Sequence, residues 1–383
     1  MKRYQFASFL TLLLTCFSCN VNSHKEVTYE LTSAGDINLA IDETTPDFSM
    51  GLQYVDSSDE LVWNINWTTN SLQIYDLGKG ELIKTISMEK EGDGGVGEIM
   101  AFHVHNMDSI FVFPFRGAGF SLIDSSGNLI NRFKYPLPEN HTLGFVHNIS
   151  YVSPPVIVGN EIYFKTRPGI VNNYREMSSK MLADSHLAFR MNLDDLNPQL
   201  VPHHYPSDYL ANGFKRFEFS SAQGSGKIVY SFFGDHQLYW AADFDSPLQQ
   251  VSAKSKYLKD QLPLFPIDGA TLESQKYSNA SARYDNLLYD PYREVFYRFA
   301  YPELDVNTEE EVRALRNNPG PFVVMVFDQN LKLVSEKYFE GGRYLPLNAF
   351  VGKKGLYIST NNPDNPENQE DLMGFEIFVL EEI

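Results

Sequence analysis

ELVWNIN (60–66), a four-residue gap, then SLQIYDLGKGELIKTISM (71–88): the fold is decided by how this stretch is read. ELVWNIN is an apolar run with Val, Trp and Ile, residue types that fit a pleated surface. SLQIYD is a second such run, closed by Asp76, whose carboxylate can accept from backbone donors in a turn. Alternation resumes at Leu82, so the stretch reads as three consecutive antiparallel strands.

The same pattern returns along the whole chain. Counterparts of ELVWNIN are SIFVFPF (109–115), EIYFKTR (161–167), KIVYSFF (227–233), EVFYRFA (294–300) and GLYISTN (355–361). Aligned on Leu61, Ile110, Ile162, Ile228, Val295 and Leu356, the copies lie 49, 52, 66, 67 and 61 residues apart. Asp124 and Asp328 open turns as Asp76 does, with Leu129 and Leu331 after them. An alternating segment precedes each copy: 49–55, 99–106, 144–152, 213–220, 279–285 and 345–351. Four strands per repeat, repeated six times, predict an all-β, six-bladed β-propeller over residues 25–383. The last copy ends at Ile383 after its third strand. KEVTYELTS (25–33) is expected to supply the fourth and close the ring, which removes exposed sheet edges. A large β-sandwich is the rival, but it gives no reason for six periods and an orphan strand. The 22 Tyr, 28 Phe and 3 Trp agree with a strand-rich chain. Helices are expected only at the capping box Thr308–Glu311 and within 174–188, both inside insertions.

The first residues read as an export signal. Lys2 and Arg3 precede an apolar run from Phe6 to Phe17, and Ser18 offers the small residue before a cut. That run is too short to span a bilayer, which needs about 20 residues. Both cysteines, Cys16 and Cys19, fall here. Cleavage after Ser18 would leave Cys19 as the one mature thiol, and an unpaired cysteine outside the cell is explained if its sulfur is acylated. The expected layout is a lipoprotein signal (1–18), a lipidated tether (19–24) and the propeller. The alternative is a secreted protein with an incidental cysteine. Lipid on Cys19 would hold the chain to a membrane of the cell envelope, the outer membrane being the expected host. Losing Lys2 and Arg3 takes the net charge from −18 to −20. So acidic a chain repels phosphate backbones, which excludes nucleic acid as an expected partner.

EGDGGVGEIMAFHVHNMDSIFVF (91–113) and YDNLLYDPYREVFYRFAYP (284–302) resemble a family of Bacteroidetes lipoproteins known as a domain of unknown function. That family is similar to NHL-like and TolB-like six-bladed propellers. The resemblance covers nearly the whole mature chain and implies fold and export. It carries over no catalytic residue.

No enzyme motif survives its own chemical requirements. Gly92-x-Gly94-x-x-Gly97 matches a dinucleotide fingerprint, but a strand follows where a helix N-terminus must meet the pyrophosphate. GxSxG, HExxH and GxxxxGK[ST] are absent from the sequence. His103 and His105 share a strand face and His203-His204 adjoin, yet neither pair has the further ligands a metal requires. NNPDNPENQED (361–371) lacks the glycine and terminal glutamate of an EF-hand loop. No cofactor, metal or catalytic residue is expected. In a four-stranded blade the d–a and b–c connections share one face, and the long segments here are of those two kinds. Repeat proteins commonly bind through such a face. Arg116, Arg167 and Arg298 lie at or near the ends of b strands, and Arg216 and Arg283 on a strands. If they converge, they would form an anion site; pairing with carboxylates inside blades is the plainer alternative. The expected function is a lipid-anchored binding or scaffold propeller whose ligand is a glycan, peptide or partner protein. The alternative is a channel enzyme, a glycosidase or calcium-dependent lactonase.

Overall fold

The computed structural model describes residues 28–383 except 58, 170–175 and 317. Strand β1 (Tyr29–Ala40) comes first in the chain but belongs to the last blade. Blade one is β2 (Leu52–Asp56), β3 (Glu60–Asn66), β4 (Ser71–Asp76) and β5 (Glu81–Ser87). Blade two is β6 (Ile99–Asn106), β7 (Ser109–Pro114), β8 (Gly119–Ile123) and β9 (Leu129–Lys134). Blade three is β10 (Val156–Val158), β11 (Glu161–Lys165), β12 (Ala188–Asn192) and β13 (Gln199–Leu200). Blade four is β14 (Phe219–Gly224), β15 (Lys227–Phe232), β16 (Gln237–Ala241) and β17 (Gln249–Ser252). Blade five is β18 (Arg283–Asp290), β19 (Val295–Tyr301), β20 (Phe322–Phe327) and β21 (Leu333–Phe339). Blade six is β22 (Leu345–Gly352), β23 (Gly355–Ser359) and β24 (Leu372–Glu382), completed by β1. The fold is the six-bladed propeller that the repeats predict.

Blades stack face to face, so their middle strands bury both faces and read as unbroken apolar runs. All of FVVMVF in β20 and all of VFYRFAY in β19 are buried. The outer strands keep a wet face: ELIKTIS and LINRFK expose most of their residues, and their charges guard the rim against pairing with another chain. Trp63 of blade one stacks on Phe102 of blade two at 6.5 Å, and Phe339 of blade five meets Phe378 of blade six edge-on at 5.0 Å. The core is this series of interfaces between neighbouring blades.

The aspartate turns form as expected. Asp124 Oδ1 accepts from Ser126 N at 2.8 Å and Asn128 N at 2.9 Å, and Asp328 Oδ1 accepts from Asn330 and Lys332 N at 2.8 Å. Helix α1 (Ser179–Ala183) lies in the 174–188 segment. Helix α3 (Glu309–Ala314) carries the full capping box, Thr308 Oγ1 accepting from Glu311 N at 3.2 Å. Helix α2 (Thr271–Asn279) was not expected. It has no side-chain cap, and its one buried side chain is Tyr277, so docking rather than local signal holds it.

Ring closure holds, with a correction to its extent. β1 pairs with β24 from Tyr29↔Glu382 to Ala40↔Leu372, well past Ser33. A register shift between Ser33 and Asp36, with Gly35 at φ +108°, lets the strand bend and continue. The innermost strands of blades three, four and five also differ from expectation. They are 156–158, 219–224 and 283–290 rather than 144–152, 213–220 and 279–285.

Candidate functional site

Residues 144–152 alternate like a strand but cross the ring axis instead. Phe145 N donates to Lys165 O at 2.9 Å and Ser153 N to His147 O at 3.1 Å. Between them Ser150 and Tyr151 take left-handed conformations, φ 37° and 52°, which turns the chain into the channel. Tyr151 N donates to Asp285 Oδ1 at 2.5 Å and Val152 N to Asn286 Oδ1 at 3.1 Å, both in blade five. Asn148 pairs with the backbone of Phe102 in blade two through its own amide, at 3.0 and 3.1 Å. Pro154 and Pro155 then restart the chain as β10. This crossing segment divides the axis into two mouths.

On the side of the long loops lies a cationic cluster. Lys165 ends β11 and is buried, its ammonium donating to the carbonyls of Phe219 and Tyr151. Burial pushes it down to about 7, with Arg167 adding and Glu218 opposing. Arg167 lies 4.5 Å over the Phe145 ring, and among the described residues no carboxylate pairs with it. Arg216 holds Glu218 with two bonds of 3.1 Å and lies 5.1 Å from the Phe233 ring. Arg283 is buried 4.3 Å over Tyr301 and donates through Nη1 to the carbonyls of Asn279 and Ser281. Burial raises the Asp285 carboxyl, opposed by the Tyr151 amide and by Arg283, Arg216 and Lys165. Two buried polar atoms here have no partner among the described residues, Tyr301 Oη and His147 Nδ1.

Of the five arginines singled out in the sequence, the structure gathers Arg167, Arg216 and Arg283 and separates the other two. Arg298 is wholly buried between blades. Its guanidinium donates to Ser231 Oγ at 2.8 Å and to the carbonyls of Asp235, His236 and Ala253 at 2.7–3.2 Å, and it stacks 3.4 Å from Tyr284. Arg116 is exposed on the loop after β7. Lys165 and Asp285 were not singled out. One signal was available: the fourth residue of the aligned b strands is Asn64, Phe113, Lys165, Ser231, Arg298 and Ser359, polar in five blades. Those five are all buried.

The other motifs resolve structurally. Gly92–Gly97 is a loop leading straight into β6, with no helix. His203 lies 2.8 Å from Tyr230 Oη and 2.9 Å from Ser246 O, while the His204 ring lies tilted against His186 at 4.0 Å. The 361–371 loop is pinned by buried Asn361, Asn362 and Asn365, whose amides donate to the carbonyls of Leu372, Tyr344 and Thr360. Among the described residues no group of three or more His, Cys, Asp or Glu is placed to hold a metal. Cys19 lies outside the described residues.

A family described as a domain of unknown function, DUF4221, matches residues 28–338. The chain belongs to the DUF4221 family. A crystal structure of a DUF4221 member from Bacteroides vulgatus superposes at TM-score 0.81 and 24% identity, covering 94% of this chain and 100% of that one. A Bacteroides fragilis protein, whose name describes it as exported, superposes at TM-score 0.54 and 9% identity, covering 93% and 96%. At that identity the likeness is one of fold. A virginiamycin B lyase from Staphylococcus aureus reaches TM-score 0.44 at 10% identity, over 92% of this chain and all of that one. So distant a likeness carries nothing about chemistry. No curated protein matches this DUF4221 chain. Among its described residues no helix is long and apolar enough to cross a membrane.

Proposed function

We propose that this protein is an extracytoplasmic binding or scaffold propeller, held to the cell envelope by lipid on Cys19. Its loop-bearing mouth takes an anionic group of a glycan, peptide or partner protein. The observation that carries this reading is the charge inversion at that mouth. Lys165, Arg167, Arg216 and Arg283 lie together with, among the described residues, Glu218 and Asp285 against them, in a chain of net charge −18. Holding like charges together costs free energy unless a ligand repays it. Arg167 is the side chain best placed to meet a ligand, since it is half-exposed and stacked on Phe145. A planar guanidinium there suits carboxylate, sulfate or phosphate oxygens.

The test is an array of glycans and peptides probed with the purified propeller, wild type and Arg167→Ala. Expected hits carry carboxylate, sulfate or phosphate and weaken on Arg167→Ala by roughly 1–3 kcal/mol. Hits confined to neutral ligands, or indifferent to Arg167, overturn the anion reading. Lipid attachment has its own test, metabolic labelling with a palmitate analogue. Label is expected on the wild type and absent from Cys19→Ser; label retained by the variant removes the anchor.

A further inference from the structure

The other mouth of the axis holds a cavity of different chemistry. Its volume is about 540 Å³, within the range of small-molecule sites. It is lined by the later halves of three innermost strands, Ser221–Gln223, Leu287–Tyr289 and Ala349–Val351, and by Leu52–Tyr54 of β2, with Pro291 from the turn after β18. It therefore opens on the face of the short turns, and the crossing segment with His147 and Asn148 is its floor. Among the described residues no Asp, Glu, Lys or Arg lines it, although 21% of the chain is charged.

The walls are mainly apolar and aromatic. Tyr54 stacks on Phe350 at 6.5 Å and 12°. The hydroxyls of Tyr54 and Tyr289 are tied back to Glu60 at 3.2 Å and Ser225 at 3.0 Å, both at the turns. Two of the cavity's polar side chains are already engaged: Gln53 pairs with the backbone of Val104 and Asn148 with that of Phe102. Among the described residues the side chains of His103, Ser221 and Gln223 make no hydrogen bond, and His147 Nδ1 has no partner. Burial pushes His103 down to about 4, helped by His105, so it is a neutral imidazole with one donor and one acceptor to offer.

We propose that this cavity binds an uncharged, ring-bearing small molecule with one or two hydrogen-bonding groups, its ring between Tyr54, Tyr289 and Phe350 and its polar group at His103. Ionic ligands are disfavoured because nothing in the walls compensates their desolvation. A sugar is disfavoured because its many hydroxyls would outnumber the few free polar side chains, and each one left unpaired costs affinity. Stacked aromatic walls reward a flat ring instead. This site is independent of the cationic mouth on the opposite face.

The probe is N-phenyl-1-naphthylamine, uncharged and fluorescent when removed from water, titrated into residues 28–383, which hold all the described strands. A saturable, single-site rise in fluorescence is expected. Gln223→Trp places an indole across the opening from an exposed position and should weaken binding at least roughly tenfold. His103→Leu should weaken it by a smaller factor. The sulfonated analogue 8-anilino-1-naphthalenesulfonate, with the same rings plus a charge, should bind at least roughly tenfold more weakly than the parent. Should Gln223→Trp fail to melt like the wild type, Ser221→Phe serves as the blocking variant. The proposal is overturned by a non-saturable signal, by equal binding of the sulfonate, or by a folded blocking variant that binds as well as the wild type. Loss of the probe in Arg167→Ala would place it at the other mouth and also overturn it.

Discussion

Arg298 and Arg167 look alike in sequence, each near the end of a b strand, yet they occupy opposite situations. Counted from the aligned apolar residue, Arg298 is the fourth residue of its strand, inside the ladder. Arg167 lies two residues further, beyond the end of β11. One is therefore trapped between blades and the other reaches the mouth. Arg298→Met would leave Ser231 and several buried carbonyls without their donor, so it should lower stability by roughly 3–5 kcal/mol. Arg167→Ala should move stability by less than about 0.5 kcal/mol. Urea unfolding of the two variants checks this; equal midpoints would remove the locking role of Arg298. Lys165 makes a second residue-scale prediction. Its folded value, about 7, lies below the ordinary 10.5, so between those values the unfolded chain binds more protons and stability rises with pH. Below pH 7 the cost of burying the charge is present in full. Urea midpoints at pH 7 and 9.5 should show a rise in the wild type that is smaller in Lys165→Met; identical slopes would mean that the ammonium is not desolvated.

At the scale of elements, two segments read as strands part ways: the described part of KEVTYELTS forms one and GFVHNISYV does not. KEVTYELTS was recognisable as the missing fourth strand because β24 would otherwise keep an open edge; its residues 25–27 lie outside the described residues. Its continuation to Ala40 was not legible, since the bend at Gly35 breaks the alternation there. Leu31 and Leu39 of β1 are wholly buried. Deleting residues 28–40 should therefore cost several kcal/mol, comparable with the whole stability of a domain, and should broaden or abolish the thermal transition. Deleting residues 20–23 should leave the melting temperature unchanged. Equal melts for the two truncations would show that β1 is dispensable. GFVHNISYV, by contrast, alternates as well as any strand. It becomes the axial crossing because its amides at Tyr151 and Val152 find Asp285 and Asn286, more than a hundred residues away. The Pro154-Pro155 pair, which interrupts donors and favours extended backbone, was the one local hint.

For the whole molecule, burial acts on histidine in one direction. His103, His141, His147, His203, His204 and His236 are all pushed below the ordinary value of 6.5, chiefly by burial, His103 to about 4 and His147 to about 3. Each takes up a proton less readily in the fold than in the unfolded chain, so stability is lost as pH falls below 6.5. Urea unfolding at pH 7.5, 6.0 and 5.0 should show midpoints falling in that order. A flat profile would mean that these rings are hydrated and titrate normally.

The sequence by itself determined the class of fold, the number of blades, the aspartate turns and the closing strand. These follow from patterns of a few residues repeated six times, because strand alternation, turn chemistry and the need to cover sheet edges are local or additive demands. Only the tertiary structure decided what fills the axis. Which arginines meet, which one is locked between blades, and how the crossing segment separates a cationic mouth from a charge-free cavity depend on how far each blade is rotated about the ring. Contacts between residues 134 apart, such as Tyr151 with Asp285, are set by that rotation, and no local pattern encodes it.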